Sequence, residues 1–422
     1  MSVKELQTRI EDVSADIDRQ KQVLTKLERS RSALQRQLNA IRDPVSRLPL
    51  EISSEIFMRC LSSSNAQLGA LVIPILFLNI CNAWTDIALS TPALWATIHI
   101  NFPCAESFSF SLLLTTWLSR ARNCPLSLTL RGVPDNDVGC IVRQHTGRLR
   151  SLEIYSDDNV GLVALPQSIG PCPSLGTLTI CFLPNEEGES LIPTTRQTLD
   201  ILRLAPNLVE CTLSNLCTWD DDYTGTLFLP SLRYLEFRYL SLEGNDYEND
   251  DELLKQLSLP ALETLSLPMS DISFDDLVRF LKRSSSPLKT LVLGERYQYR
   301  ELDSELAECL RLVPTITHLE LCWPCEYATQ MLTSLAQSPP LAPNLLSVKI
   351  RLDEPVTSQS VYNAVERALS VRRDRIVCFR LIWPEGCWLG ALDPDANICN
   401  VLRRFVADGV KIHFGPEDRN SI

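Results

Sequence analysis

The first forty residues alternate apolar positions at spacings of three and four. Val3, Leu6, Ile10, Val13, Ile17, Leu24, Leu27, Leu34, Leu38 and Ile41 follow this rule, and Gln20 and Arg31 fill the two remaining places. No proline or glycine interrupts the run before Pro44. A repeat of 3.5 residues keeps one seam of a helix turned toward a partner, so residues 1–43 are expected to form a coiled-coil helix about 57 Å long. A homodimer through this helix is one expectation. A single amphipathic helix folded back on the body would show the same period.

A second pattern occupies residues 44–100. Pro49 suits a first helical turn, where its missing N–H costs nothing. Ile52, Ile56, Phe57 and Leu61 then recur on one helical face. Leu76, Phe77, Ile80, Cys81, Trp84 and Ile87 predict a second helix, and Ser90-Thr91-Pro92 opens a third, short one carrying Leu94 and Trp95.

From residue 149 the pattern changes to L-x-x-L-x-L. The triplets are Leu149/Leu152/Ile154, Leu175/Leu178/Ile180, Leu208/Cys211/Leu213, Leu232/Leu235/Phe237, Leu262/Leu265/Leu267, Leu288/Leu291/Leu293, Ile316/Leu319/Leu321, Leu345/Val348/Ile350 and Ile376/Phe379/Leu381. Their starts are separated by 26, 33, 24, 30, 26, 28, 29 and 31 residues, the period of a leucine-rich repeat with insertions. Leu126/Leu128/Leu130 reads as a degenerate opening turn. Prolines such as Pro173, Pro206, Pro230, Pro260, Pro314 and Pro343 stand just before triplets, where they stop a helix and hand over to a strand. Helices are expected over 275–282, 306–312, 331–335 and 361–371. The fold class is therefore α/β: a coiled-coil helix (1–43), a three-helix module (44–100) and a repeat solenoid of short parallel strands with outer helices (101–422).

Composition narrows the chemistry. The chain has 422 residues and a net charge of −12, and an acidic surface repels phosphate, which disfavours nucleic acid as a partner. No two of its 15 glycines lie closer than Gly386 and Gly390, so dinucleotide, Walker A and kinase phosphate loops are excluded, as is the nucleophile elbow. None of the histidines at 99, 145, 318 and 413 opens an H-E-x-x-H zinc motif. The 15 cysteines lack framework spacing and read as reduced core thiols of a cytoplasmic or nuclear protein. The polar start argues against a signal peptide, and the longest apolar run, Leu68 to Cys81, is too short for a bilayer. No membrane partner, cofactor or metal is expected, and no catalytic residue. An enzyme reading would rest on Cys322-Trp323-Pro324-Cys325 alone, and this pair looks like the end of a strand rather than the helix N-terminus that lowers a thiol pKa. Asp220 to Asp222 and Glu243 to Glu252 read as acidic insertions.

The string from Pro44 to Ile98, with Leu48-Pro49-x-Glu51-Ile52, Ile56-Phe57, Ile80-Cys81, Trp84 and Leu94-Trp95, resembles an F-box. The form is the one common in mushroom-forming (basidiomycete) fungi, with a coiled coil ahead of it, and the repeats resemble those that accompany F-boxes. Ser53 departs from a frequent leucine and Asn82 from a frequent arginine. The resemblance implies binding to the Skp adaptor, and through it to a cullin, in a Skp–cullin–F-box ubiquitin ligase. Leu48, Pro49, Ile52, Ile56, Phe57 and Leu61 would face the adaptor. Trp84, Leu94 and Trp95 would hold the helices together and complete the contact. The chain would then be the substrate-receptor subunit of the ligase. A repeat scaffold with no ligase link is the alternative.

In each predicted strand the triplet points inward, so the alternate positions form the outer, concave face. They place Glu153, Glu210 and Glu236 with Tyr155, Tyr234 and Arg238 early in the solenoid, and Lys349, Arg351 and Arg380 late. The expectation is an acidic, tyrosine-bearing half and a basic end that takes an acidic or phosphorylated client. Tyr155, Tyr234, Glu236, Arg238, Lys349, Arg351 and Arg380 are the candidate client-binding residues.

Overall fold

The computed structural model describes residues 3–61, 74–101, 108–132, 136–156, 165–182, 194–214, 225–238, 251–267, 273–294, 302–337, 341–352, 354–384, 392, 394–418 and 420. The chain is α/β and divides into two compact units, residues 1–101 with 107–127 and residues 102–106 with 128–422.

The first unit begins with helix α1 (Val3–Arg42), and every described side chain along it is exposed. None of those described side chains packs into an apolar surface. Asp43 ends the helix and ties it to the segments beyond. Its carboxylate accepts from the Val45 backbone N–H at 2.9 Å and from Trp84 Nε1, with the Cys81 thiol 3.8 Å away. Helix α2 (Leu50–Leu61) comes next, and Pro49 stands just before its first residue. The expected second helix is broken in two. A tight turn, Ile75–Asn79, precedes helix α3 (Asn82–Ser90), and Cys81 between them is in extended conformation. Pro92–Trp95 forms one further tight turn, and strand β1 (Thr97–Asn101) follows where none was expected. Phe57, Phe77 and Trp84 cluster with ring centroids 4.2 to 5.5 Å apart. Trp95 packs edge-on against Trp117 of helix α4 (Phe108–Arg120) at 5.1 Å, and its indole N–H donates to Ala88 O. Rings that stack and also satisfy their N–H groups hold a small module together.

The second unit repeats strand and helix. Its repeating strands are added to one sheet in chain order. After β1 they are β2 (Leu126–Arg131), β3 (Leu149–Ser156), β4 (Thr177–Phe182), β5 (Glu210–Ser214), β6 (Tyr234–Arg238), β7 (Thr264–Leu267), β8 (Thr290–Gly294), β9 (His318–Cys322), β10 (Ser347–Arg351), β11 (Cys378–Ile382) and β12 (Lys411–Phe414). Every neighbouring pair from β3 to β12 is parallel. All nine predicted triplets are buried, none of their residues being more than 5% exposed. Register aligns their middle members in one row: Leu152, Leu178, Cys211, Leu235, Leu265, Leu291, Leu319, Val348 and Phe379. A tenth strand, β12, continues this row with Ile412. It lies beyond the last predicted triplet.

The helices run longer than expected: Phe274–Ser284, Leu302–Leu312, Cys325–Leu335 and Gln359–Val371. Thr195–Arg203 and Ala396–Ala407 lie beyond those expected, as do Asn136–Arg143 and Asp251–Gln256. Thr194 and Gln197 form a capping box on the first, and Asp395 accepts from Ile398 N–H on the second.

The turns before the triplets are linked to one another. At several of the nine, the residue just ahead of the first apolar member reaches back to a carbonyl of the preceding repeat. Ser174 donates to Gly147 O, Asn207 to Pro173 O, Asn344 to Pro314 O and Arg375 to Pro343 O. Buried Arg372 donates to Leu335, Leu341 and Ala342 carbonyls, and burial lowers its pKa. Arg283 likewise serves Leu254 O and Leu257 O. These side chains satisfy turn carbonyls that no regular ladder reaches. The open edge of β12 is met in a similar way, with the Asn420 amide donating to Ile412 O and accepting from Phe414 N–H.

Candidate functional site

Two surfaces emerge, one in each unit. In the first, α2 buries Phe57 and Ser53 and turns Ile52 and Ile56 outward one turn apart. Leu48 and Leu50 at its start are exposed as well, so four large apolar side chains lie in water, each at least 40% exposed. An apolar cluster left exposed on a small module marks a docking surface. The predicted residues separate into two groups. Leu48, Pro49, Ile52 and Ile56 are exposed, and Leu61 and Trp84 are half-buried. Phe57, Leu94 and Trp95 have no exposed surface. They hold the module together and present nothing to a partner, which corrects the expectation that they share in the contact. Leu50 joins the surface instead; its place inside Leu48-Pro49-Leu50 was the available signal. Ser53, where the resemblance favours leucine, is buried and donates to Val45 O and Pro49 O, so that departure alters the interior and not the surface.

In the second unit the outward positions line up across the sheet. One row reads Glu153, Thr179, Thr212, Glu236, Ser266, Val292, Glu320, Lys349, Arg380 and His413. The row runs from Glu153 and Glu236 early to Lys349, Arg380 and His413 late, with Glu320 beside the late cations. Opposite charges stand on adjacent strands or in the same strand, and they pair. Glu236 accepts from Tyr234 Oη at 2.8 Å and from Arg238 at 2.8 Å. Burial, and then that bond, push the Tyr234 hydroxyl up to about 12, while the bond to Glu236 raises the Arg238 pKa. Glu320 holds Lys349 at 3.0 Å and Arg351 at 2.7 Å, and Arg351 also reaches toward Glu417 at 3.9 Å. Tyr155 lies under the Arg131 guanidinium, 5.2 Å from its ring centroid, and burial raises its pKa, helped by Glu153. Among the described residues, Arg380 makes no ion pair and is only half-buried. His413, missed because β12 was missed, sits beside it with Nε2 donating to Pro416 O at 2.9 Å. The seven candidate residues thus share one face, with Tyr155 on β3, Tyr234, Glu236 and Arg238 on β6, and Lys349, Arg351 and Arg380 on β10 and β11.

Cys322 and Cys325 are placed differently from the expectation. Cys322 ends β9, but Cys325 opens the helix Cys325–Leu335, so the pair bridges strand and helix. Burial, with Glu320 adding to it, pushes the Cys322 thiol up to about 11. A thiol in that state is protonated at neutral pH and a poor nucleophile. Among the described residues no group of three or more histidine, cysteine, aspartate or glutamate side chains is arranged to hold a metal, and no helix is long and apolar enough to cross a membrane. The acidic stretch 220–222 and residues 243–250 of the second one lie outside the described residues, while Asp251 and Glu252 of that second stretch open the helix Asp251–Gln256. No protein-family model matches this chain, and no curated protein matches it.

Proposed function

We propose that this chain is the substrate-receptor subunit of a Skp–cullin–F-box ubiquitin ligase. In this reading residues 44–98 act as the F-box and the strand–helix unit as leucine-rich repeats that select the client. The observation that carries it is the exposed set Leu48, Leu50, Ile52 and Ile56 above a sealed aromatic core. It is supported by the motif run those residues belong to. The chain itself catalyses no bond change. It raises the effective concentration of a client beside a charged ubiquitin carrier. The client face is the outward row of the sheet, with Arg380 as its least neutralised cation.

The test is co-purification of the full chain with the adaptor and cullin. Ile52→Asp/Ile56→Asp should weaken adaptor binding at least about thirtyfold, since two half-exposed side chains bury about 2 kcal/mol of apolar surface. Failure of the unmutated chain to bind the adaptor overturns the reading. Client capture that persists without adaptor or cullin would identify a scaffold outside the ligase instead.

A further inference from the structure

Helix α1 leaves its seam open. Between Ile10 and Ile41 the seam holds eight apolar side chains, from 42% exposed at Leu38 to 72% at Ile41. We propose that this seam closes against a second copy of the chain running antiparallel, in the register that sets Arg31 against Gln20 of the second copy.

Two polar seam residues and the charges beside them select this arrangement. In a parallel pair identical positions meet, so Arg31 faces Arg31 and Gln20 faces Gln20. Two like charges then share one layer. In an antiparallel pair each layer joins residues whose numbers have a constant sum. When Leu24 meets Leu27, Ile17 meets Leu34 and Ile10 meets Ile41, and the only polar layers are Arg31 with Gln20. The guanidinium can donate to the amide oxygen there. The same register brings Lys21 beside Glu28 of the other copy, twice by symmetry. A shift of one heptad in one direction puts Arg31 on Val13 and Lys21 on Lys21. The opposite shift puts Arg31 on Leu27 and Glu28 on Glu28. Only the intermediate register matches apolar with apolar, polar with polar, and opposite charges at the flank. A parallel pair also gains an attractive contact, Asp16 with Lys21, again twice by symmetry, so flank charge alone does not choose. Arg31 does. The overlap of residues 9–42 spans about 50 Å, and the two chains leave it at opposite ends. A parallel rod would release them side by side.

The test uses the full chain. Isotopically light and heavy protein are mixed, coupled with a zero-length carbodiimide and analysed for amides between a light and a heavy peptide. The expected link is Lys21–Glu28. Sedimentation should show a dimer, weakened by about a hundredfold or more in Leu24→Asp/Leu27→Asp, where a charge enters each central layer. Both residues are exposed in the single chain, and unchanged helical circular dichroism checks its folding. Arg31→Leu should allow Lys21–Asp16 links to appear beside Lys21–Glu28. A monomeric wild-type chain overturns the interface. Lys21–Asp16 links alone in the wild type overturn the orientation.

Discussion

Leucine and isoleucine fare differently on the strands of the second unit and on helices α1 and α2 of the first. On β3 to β11 every triplet residue is sealed, because each strand stacks its apolar row on the next in register. On α1 and α2 the same residue types stand in water at comparable periodicity. Spacing shows which residues share a face. It does not show whether the molecule itself covers that face. The strand rows are covered by neighbours one repeat away, whereas among the described residues the outward apolar faces of α1 and α2 are left uncovered.

The sharpest way to break this comparison is truncation in each unit. Phe379→Ala empties a wholly buried site and should cost about 3–5 kcal/mol, measured by urea unfolding. Ile56→Ala should cost less than about 1 kcal/mol. Equal losses would mean that the α2 surface is structural and not a docking face. Two arginines give an intermediate contrast. Arg372→Met removes the side-chain donor of the Leu335 and Leu341 carbonyls, while Ala342 O keeps the Leu345 N–H, and should lose about 2–3 kcal/mol. Arg59→Met removes only an exposed pair with Glu55 and should stay within about 0.5 kcal/mol. The smallest effect lies in the thiols. Burial pushes Cys211 up to about 12 and Cys322 to about 11. The fold therefore keeps these thiols protonated where the unfolded chain ionises, so their contribution to stability falls as pH rises above about 9 and is flat near neutrality. Alkylation mapped by mass spectrometry at neutral pH should find exposed Cys140 modified well before either. Prompt modification of Cys322 would reopen the thiol-chemistry reading.

The repeat unit was legible because leucine spacing reports burial directly, and all nine triplets proved to be inside. What escaped was of another kind. β12 offers Ile412 and Phe414 but no leucine triplet, and β1 hides in the short Thr97–Asn101 run. The turn linkage uses serine, asparagine and arginine interchangeably at one place, so no residue type repeats to reveal it. On the candidate face the residues were found but the pairing of their charges was not. Summing charge along the chain separates Glu320 from Lys349 by a whole helix, while register sets them on adjacent strands. In the first unit, helical periodicity identified the exposed Ile52 and Ile56. Nothing in that period separates an inward Phe57 from an outward Ile56 one residue earlier.

The amide of Asn420 occupies the hydrogen-bonding groups that the last strand would otherwise offer sideways. An unblocked border of that kind is a template on which another polypeptide can lay down a strand and start fibre growth. A single side chain thus works as an end-stop, and Asn420→Ala should convert a well-behaved protein into one that clumps before it melts.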